Sequence, residues 1–267
     1  MQTSVTGTAL RHSHLPINAH GILRRVVDNA LTSLDFRGLR MPNVVVTGAN
    51  QGIGLEFVKM LRARGDAVWG SCRQNAGPLA ELGATVVPEI EVTDAASVDK
   101  LVAASPTKVD TLILNAAVLP LDGCDHVGDL DAAKMLKCLE INSVAPLMCA
   151  QAFLKADKLA EGSTLVLIST LMGSIADNGS GGKTAYRMSK AALNMGGKNL
   201  ALALQPKGIK VAILHPGFVS TNMVEQHGYM GGISTTESVT GLLAQIDGWT
   251  MEKTGQFVSR KGDIAPW

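Results

Sequence analysis

Tyr186 and Lys190 stand four residues apart in AYRMSKAALNM, a segment whose pattern predicts a helix. At that spacing two side chains share one face, which brings an ammonium beside a phenol edge. A phenol with its ordinary pKa near 10 carries protons poorly at neutral pH, and a neighbouring cation draws that pKa toward the working range. The pair is therefore a candidate for general acid–base chemistry. Taken alone, it also reads as an ordinary surface pair on a helix.

A second stretch offers a place for a bound partner molecule. Thr47-Gly48-Ala49-Asn50-Gln51-Gly52-Ile53-Gly54 follows the apolar run Val44, Val45, Val46 and precedes a helical pattern. In that setting Gly48 permits a tight turn, Gly52 lets backbone amides approach a pyrophosphate, and Gly54 lets strand and helix pack closely. The helix start adds free N–H groups and partial positive charge, so Thr47, Asn50, Gln51 and Ile53 are read with the glycines as a dinucleotide site. The other reading is a merely sharp turn.

The next strand end bears on which dinucleotide. An NAD site places an acid about 20 residues on, to hold the ribose 2′-hydroxyl. Here VWGSCRQNAG offers Ser71 and Arg73 and no Asp or Glu. A guanidinium suits a 2′-phosphate, so NADP is expected ahead of NAD. The bland reading of Arg73 is a solvated loop charge.

These residues need a frame that presents them at strand ends. From Pro42 onward, short β-branched runs alternate with longer helical patterns, as in β-α-β units on a parallel sheet. Strands are expected near 43–47, 67–71, 84–88, 109–115, 163–169, 210–214 and 256–259. The helix after the glycines carries Ile53, Phe57, Met60 and Leu61 on one face and closes at Gly65, and Asp94 is placed to cap the helix holding Val98, Leu101 and Val102. Longer helices are expected at about 129–157 and 182–205. The sum is one doubly wound α/β domain over residues 41–267, a seven-stranded parallel sheet with helices on both faces.

Composition narrows the partners. Apolar residues make up 46% of the 267 and aromatics only 4%, so the core has to be packed from aliphatic side chains and alanine. A formal net charge of +1 supplies no long-range field for nucleic acid or an anionic membrane, and neither is expected as a partner. Cys72, Cys124, Cys138 and Cys149 are scattered without a C-x-x-C pair, which suggests no metal, no disulfide framework and a reducing compartment. No apolar run reaches the roughly 18 residues of a transmembrane helix.

Residues 1–40 differ from the rest. They hold Arg11, Arg24 and Arg25 with no acid before Asp28, followed by the amphipathic GILRRVVDNALTSL. That composition fits a mitochondrial or plastid transit peptide, a leader upstream of a start at Met41, or a helix docked on the domain. The expected location is cytoplasmic, or mitochondrial or plastid if the segment is a transit peptide.

The order of features is the glycine run, LNAAV at 114–118, EINSVAP around Asn142, a strand ending in Ser169-Thr170, then Tyr186 and Lys190. Over residues 42–267 it resembles the short-chain dehydrogenase/reductase family. TGANQGIG matches that family's T-G-x-x-x-G-x-G, YRMSK its Y-x-x-x-K, and HPGFVST at 215–221 is similar to its P-G-x-V-x-T. STLMGSIADNGSGG, AYRMSKAALNM and the C-terminal GQFVSRKGDIAPW resemble the C-factor and Sniffer-type carbonyl reductase branch.

The resemblance implies a Rossmann domain and an NADP-dependent oxidoreductase, which moves hydride between nicotinamide C4 and a small-molecule carbonyl or alcohol substrate. Tyr186 would be the general acid in reduction and the base in reverse. Lys190 would lower its pKa and bind the nicotinamide ribose, and Asn142 would anchor a water that relays protons from Lys190 to solvent. Asn115, with Ala116 and Ala117, would bound the adenosine side of the cleft, and Glu91 and Val92 would contact adenine. Pro216, Gly217, Val219 and Thr221 would hold the nicotinamide. The helices at about 129–157 and 182–205 resemble the pair that builds a four-helix dimer interface, so a homodimer or homotetramer is expected.

Two departures stand out. Thr170 occupies the place of the family's catalytic serine, three residues before Gly173; it keeps the hydroxyl and adds a methyl. Ser169 is the other candidate. Leu114 and Ala117 replace the first Asn and the Gly of N-N-A-G, and a β-carbon at Ala117 narrows the approach to a cofactor. His215 reads as a hydrogen-bonded strand-end residue, and segment 222–235 as a cover over substrate, with Met223 and Met230 either part of it or ordinary loop packing. The alternative function is a nucleotide-binding signalling or regulatory protein of C-factor type with little turnover.

Overall fold

Strand β1 (Asn43–Val46) is the hub of the sheet. Val45 enters the core on one face, and Val44 and Val46 enter the core on the other. A strand covered on both sides needs apolar residues at every position, which is why this run has no polar alternation. The computed structural model describes residues 41–120, 124 and 126–267. The candidate transit peptide lies outside the described residues.

Seven parallel strands run in the order β3-β2-β1-β4-β5-β6-β7. They comprise β2 (Ala67–Ser71), β3 (Thr85–Val87), β4 (Thr111–Leu114), β5 (Thr164–Ile168), β6 (Lys210–His215) and β7 (Phe257–Ser259). Each expected strand is present within a residue or two. The chain winds outward from β1 in one direction to β3 and in the other to β7. That reversal opens a crevice at the carboxyl ends of β1 and β4.

Helix α1 (Gly52–Arg64) stops at Gly65, whose φ of +95° is costly for any residue with a β-carbon. Helix α2 (Ala95–Ala104) is capped as expected, the Asp94 carboxylate accepting from Ser97 N at 2.7 Å. Helices α3 (Ala132–Leu139) and α4 (Ala145–Lys155) flank a π-helical turn over Glu140–Val144, where the sequence suggests one unbroken helix. Pro146 explains the difference: it has no N–H for the Asn142 carbonyl, and its ring crowds that carbonyl, so the coil widens.

Helix α5 (Thr184–Leu204) is long and nearly as expected; α6 (Asn222–Glu225) is a single turn, and α7 (Thr235–Asp247) precedes β7. Leu101, Phe153 and Leu193 bring α2, α4 and α5 onto one face of the sheet. Phe57, Leu61, Val239 and Leu242 bring α1 and α7 onto the other. Among the described residues no helix is long and apolar enough to cross a membrane.

Candidate active site

The glycine turn is fixed by contact with β4. Gly48 has φ +64°, and a β-carbon there would lie 2.9 Å from Ala116 Cα. One on Gly54 would lie 2.1 Å from the Gly48 carbonyl oxygen, a distance no side chain can take. Asn115 Nδ2 donates to the Thr47 and Gly48 carbonyls, each at 3.1 Å, while Thr47 Oγ1 accepts from the Asn115 and Ala116 amides at 3.0 and 3.2 Å. Thr47 and Gly54 therefore sit behind the cleft wall and lock it. The wall itself is made by Gly48, Asn50, Gln51, Gly52 and Ile53, facing Asn115, Ala116 and Ala117.

Helix α1 begins at this wall with no side-chain cap and no acid in its first turn. Its leading amides are thus available to an anion, and the glycines leave room for one to approach. These residues fit a dinucleotide's pyrophosphate. At the far end of the cleft stand Arg73, Glu91 and Val92. Arg73 Nη1 is 3.8 Å from Glu91 Oε2, a loose and well-exposed pair, and Glu91 Oε1 also accepts from Thr93 Oγ1 at 3.1 Å. Ser71 is buried at the end of β2, and Cys72 and Gln74, which sequence reasoning passed over, form the wall beside Arg73.

Ile53, Asn115, Ala117, Thr221 and Met223 belong both to this cleft and to an adjoining cavity of about 340 Å³. Tyr186, Lys190, Thr170, Pro216, Gly217 and Val219 line that cavity. The Lys190 ammonium lies 5.8 Å from the Tyr186 ring centre and donates to the Ile168 carbonyl at 2.9 Å. Burial pushes the Tyr186 phenol up from its ordinary range and pulls the Lys190 ammonium down to about 8.

Gly173 brings the strand end to the helix: a β-carbon there would lie 2.7 Å from the Lys190 backbone. The Thr-x-x-Gly spacing thus has a packing reason. Ser169 is buried and its Oγ donates to Asn194 Oδ1 at 2.5 Å. Thr170 is only partly buried, and its Oγ1 accepts from Met172 N at 3.3 Å. His215 Nδ1 accepts from Leu171 N at 3.3 Å, and burial pulls its pKa down to about 4, which keeps it a neutral strand-end acceptor.

Asn142 is wholly buried in the π turn and does not reach the cavity wall. Its Oδ1 accepts from Val118 N and its Nδ2 donates to Val118 O, both at 2.8 Å. Nδ2 also donates to Ser189 Oγ at 3.0 Å, and Ser189 Oγ donates to the Tyr186 carbonyl at 2.8 Å. Ser189 thereby ties the tyrosine's backbone to the loop after β4. Its only sequence signal is a small hydroxyl three residues after Tyr186.

The segment after β6 reaches over the cavity. Met223, Val224 and Tyr229 line it, whereas Met230 is 86% exposed and lies off the wall. His227 holds the segment in place: its Nδ1 is 2.7 Å from the Met223 carbonyl and its Nε2 2.7 Å from the Pro120 carbonyl in the loop after β4. No motif marks this tether.

Sheet order, glycine turn and the Tyr186–Lys190 pair beside a strand-end hydroxyl define a Rossmann-type α/β protein of the dehydrogenase kind. The chain belongs to the short chain dehydrogenase family, whose family model matches residues 42–230. The 1-hydroxy-2-glutathionyl-2-methyl-3-butene dehydrogenase of Rhodococcus sp. (strain AD45) is 35% identical over 234 residues, 85% of this chain and 100% of that protein. C-signal of Myxococcus xanthus is 39% identical over 163 residues, 60% of this chain and 93% of that protein. Among solved structures, NADPH-bound carbonyl reductase from chicken fatty liver has a TM-score of 0.75 at 30% identity, covering 86% of this chain and 100% of its own. Carbonyl reductase Sniffer of D. melanogaster has a TM-score of 0.75 at 27% identity, covering 85% of this chain and 100% of its own.

Proposed function

We propose that this chain is an NADP-dependent carbonyl reductase that uses Tyr186 as its proton donor. The observation that carries the reading is the meeting of Tyr186, Lys190 and Thr170 in a cavity continuous with the glycine turn. Its similarity to an NADPH-bound carbonyl reductase supports the same choice.

Gly48 to Ile53 and the start of α1 hold the pyrophosphate, with Thr47 and Gly54 fixing the turn from behind. Arg73 takes the 2′-phosphate, Glu91 and Val92 flank the adenine, and Asn115, Ala116 and Ala117 bound the adenosine side. Pro216, Gly217, Val219 and Thr221 hold the nicotinamide face toward Tyr186. When bound, NADPH supplies the hydride to the carbonyl carbon.

Thr170 donates its hydroxyl to the substrate oxygen, because the Ser169 hydroxyl is taken by Asn194. Tyr186 delivers its proton to that oxygen, and the product is the alcohol. Burial holds the phenol protonated until a neighbouring positive charge stabilises the phenolate left behind, and Lys190 is that charge. Lys190 also binds the nicotinamide ribose. Asn142 contributes its backbone carbonyl, which Pro146 leaves without its usual helical donor, as the anchor of a water between Lys190 and solvent.

A titration of the chain with NADPH and with NADH, followed by fluorescence, tests the cofactor half of this reading. NADPH binds more tightly, and Arg73→Ala weakens it toward the NADH value. Equal affinity for the two would remove Arg73 from the 2′-phosphate. The 39% identity to C-signal favours a second reading, a nucleotide-binding regulatory protein with little turnover. It predicts the same binding with no carbonyl-dependent NADPH oxidation.

A further inference from the structure

Three basic side chains meet at the cavity beside Tyr186. Lys183, Arg187 and Lys190 lie on its wall, and no Asp or Glu does among the described residues. Lys190 serves the tyrosine, whereas Arg187 and Lys183 line this cavity and not the cleft of the glycine turn. Nothing in the reduction of a neutral carbonyl needs them there.

Arg187 is held in place by acceptors that leave its charge intact. Its Nε donates to the Gly181 and Gly182 carbonyls at 3.2 and 3.0 Å, and Nη2 donates to Ser180 Oγ at 2.9 Å. All three partners are neutral. A guanidinium has five N–H donors in a rigid fork, and these bonds leave Nη1 uninvolved. One turn earlier on the same face, the Lys183 ammonium sits 5.9 Å from the centre of the Tyr229 ring, itself a wall residue.

The remaining wall is largely apolar, with Leu119, Met172, Phe218, Met223 and Val224. A half-buried guanidinium whose partners among the described residues are all neutral, set beside such a wall, gives up part of its hydration that a bound anion would restore, and a planar carboxylate matches its fork. We infer that the carbonyl substrate carries a carboxylate on an apolar body, and that Arg187 receives this group while the carbonyl reaches Tyr186. This inference rests on the reading of the cavity as the carbonyl site.

The test compares 4-carboxybenzaldehyde with methyl 4-formylbenzoate, which share a ring and an aldehyde and differ in charge, the ester being intrinsically the more reactive toward hydride. With NADPH, kcat/KM for the acid exceeds that for the ester by about tenfold, as a charge-assisted bond provides. The ratio falls toward one in Arg187→Gln, survives in part in Arg187→Lys, and shrinks with added salt. A purely structural role for Arg187 would lower both substrates together and leave the ratio unchanged.

Calorimetry with 4-carboxybenzyl alcohol and its methyl ester, added to the NADPH-saturated chain, reads the same preference without turnover. Tighter binding of the acid with no reduction of either aldehyde would keep the anion site and overturn the reductase reading. Reduction of both aldehydes at equal efficiency would keep the reductase and overturn the anion site.

Discussion

The Lys190 ammonium lies 5.8 Å from the centre of the Tyr186 ring, one helical turn along α5, with Lys190 buried and Tyr186 partly buried. Their burial acts in opposite chemical directions. The phenol is made harder to ionise and the ammonium easier to discharge. A protonated phenol favours reduction at neutral pH, so turnover in the direction of alcohol oxidation rises as the solution is made alkaline.

The same burial costs stability. Lys190 is lowered to about 8 in the folded chain, against about 10.4 unfolded, so below pH 8 its charge opposes folding by on the order of 3 kcal/mol. That cost is relieved as pH rises from about 8 to about 10.4, where the unfolded chain binds more protons. Lys190→Met, which also loses the bond to Ile168, is therefore expected to be about 1–2 kcal/mol more stable than the parent at pH 7 and almost inactive. Denaturant unfolding at several pH values checks this. A variant less stable at pH 7, with a gap that ignores pH, would contradict it.

Thr170 and Ser169 separate chemistry from architecture. Thr170→Val removes a hydroxyl from the cavity wall, which Ser169 also lines, and should lower kcat/KM by about 10²-fold, while Thr170→Ser keeps most of it. Ser169→Ala leaves Asn194 Oδ1 without its partner and should cost about 1–3 kcal/mol in unfolding free energy, with a smaller loss of rate. Steady-state kinetics and denaturant melts on the three variants decide between the hydroxyls. The reverse pattern would make Ser169 the donor.

Gly54→Ala places a β-carbon 2.1 Å from the Gly48 oxygen and 2.6 Å from Asn115 Nδ2. The turn and the strand cannot both stay where they are. The expected result is loss of NADPH binding together with a lowered Tm, read by fluorescence titration and calorimetry.

Much of this was legible in the sequence, for identifiable reasons. Strands such as Val44–Val46 and Leu165–Ile168 are continuous apolar runs between turn residues, which only a doubly covered parallel strand explains. Gly65 and Asp94 announced a helix end and a helix start through backbone chemistry that acts locally. The π turn was harder to read, because Pro146 at the head of α4 is also compatible with an ordinary first turn. Ser189, His227 and Arg187 were illegible for a different reason. Ser189 and His227 act through partners 47 and 107 residues away, Asn142 and Pro120, and Arg187 acts through the shape of a loop and its place on the cavity wall.

The outer faces of α3, α4 and α5 carry an apolar surface. Met188, Met195 and Leu202 recur every seven residues along α5, and Leu136, Val144 and Met148 lie exposed on the preceding helical stretch. Light scattering at micromolar concentration is expected to give a dimer or tetramer mass, and the pair Met195→Glu with Leu202→Glu to lower it. A monomer mass for the unaltered chain would contradict this.

The most direct test of the account is NADPH oxidation with a reactive dicarbonyl by the parent chain and by Tyr186→Phe, alongside NADPH affinity for both. The account predicts turnover in the parent, a loss of at least about 10²-fold in the variant, and NADPH affinity within a few fold of the parent. Substantial turnover in Tyr186→Phe would contradict it.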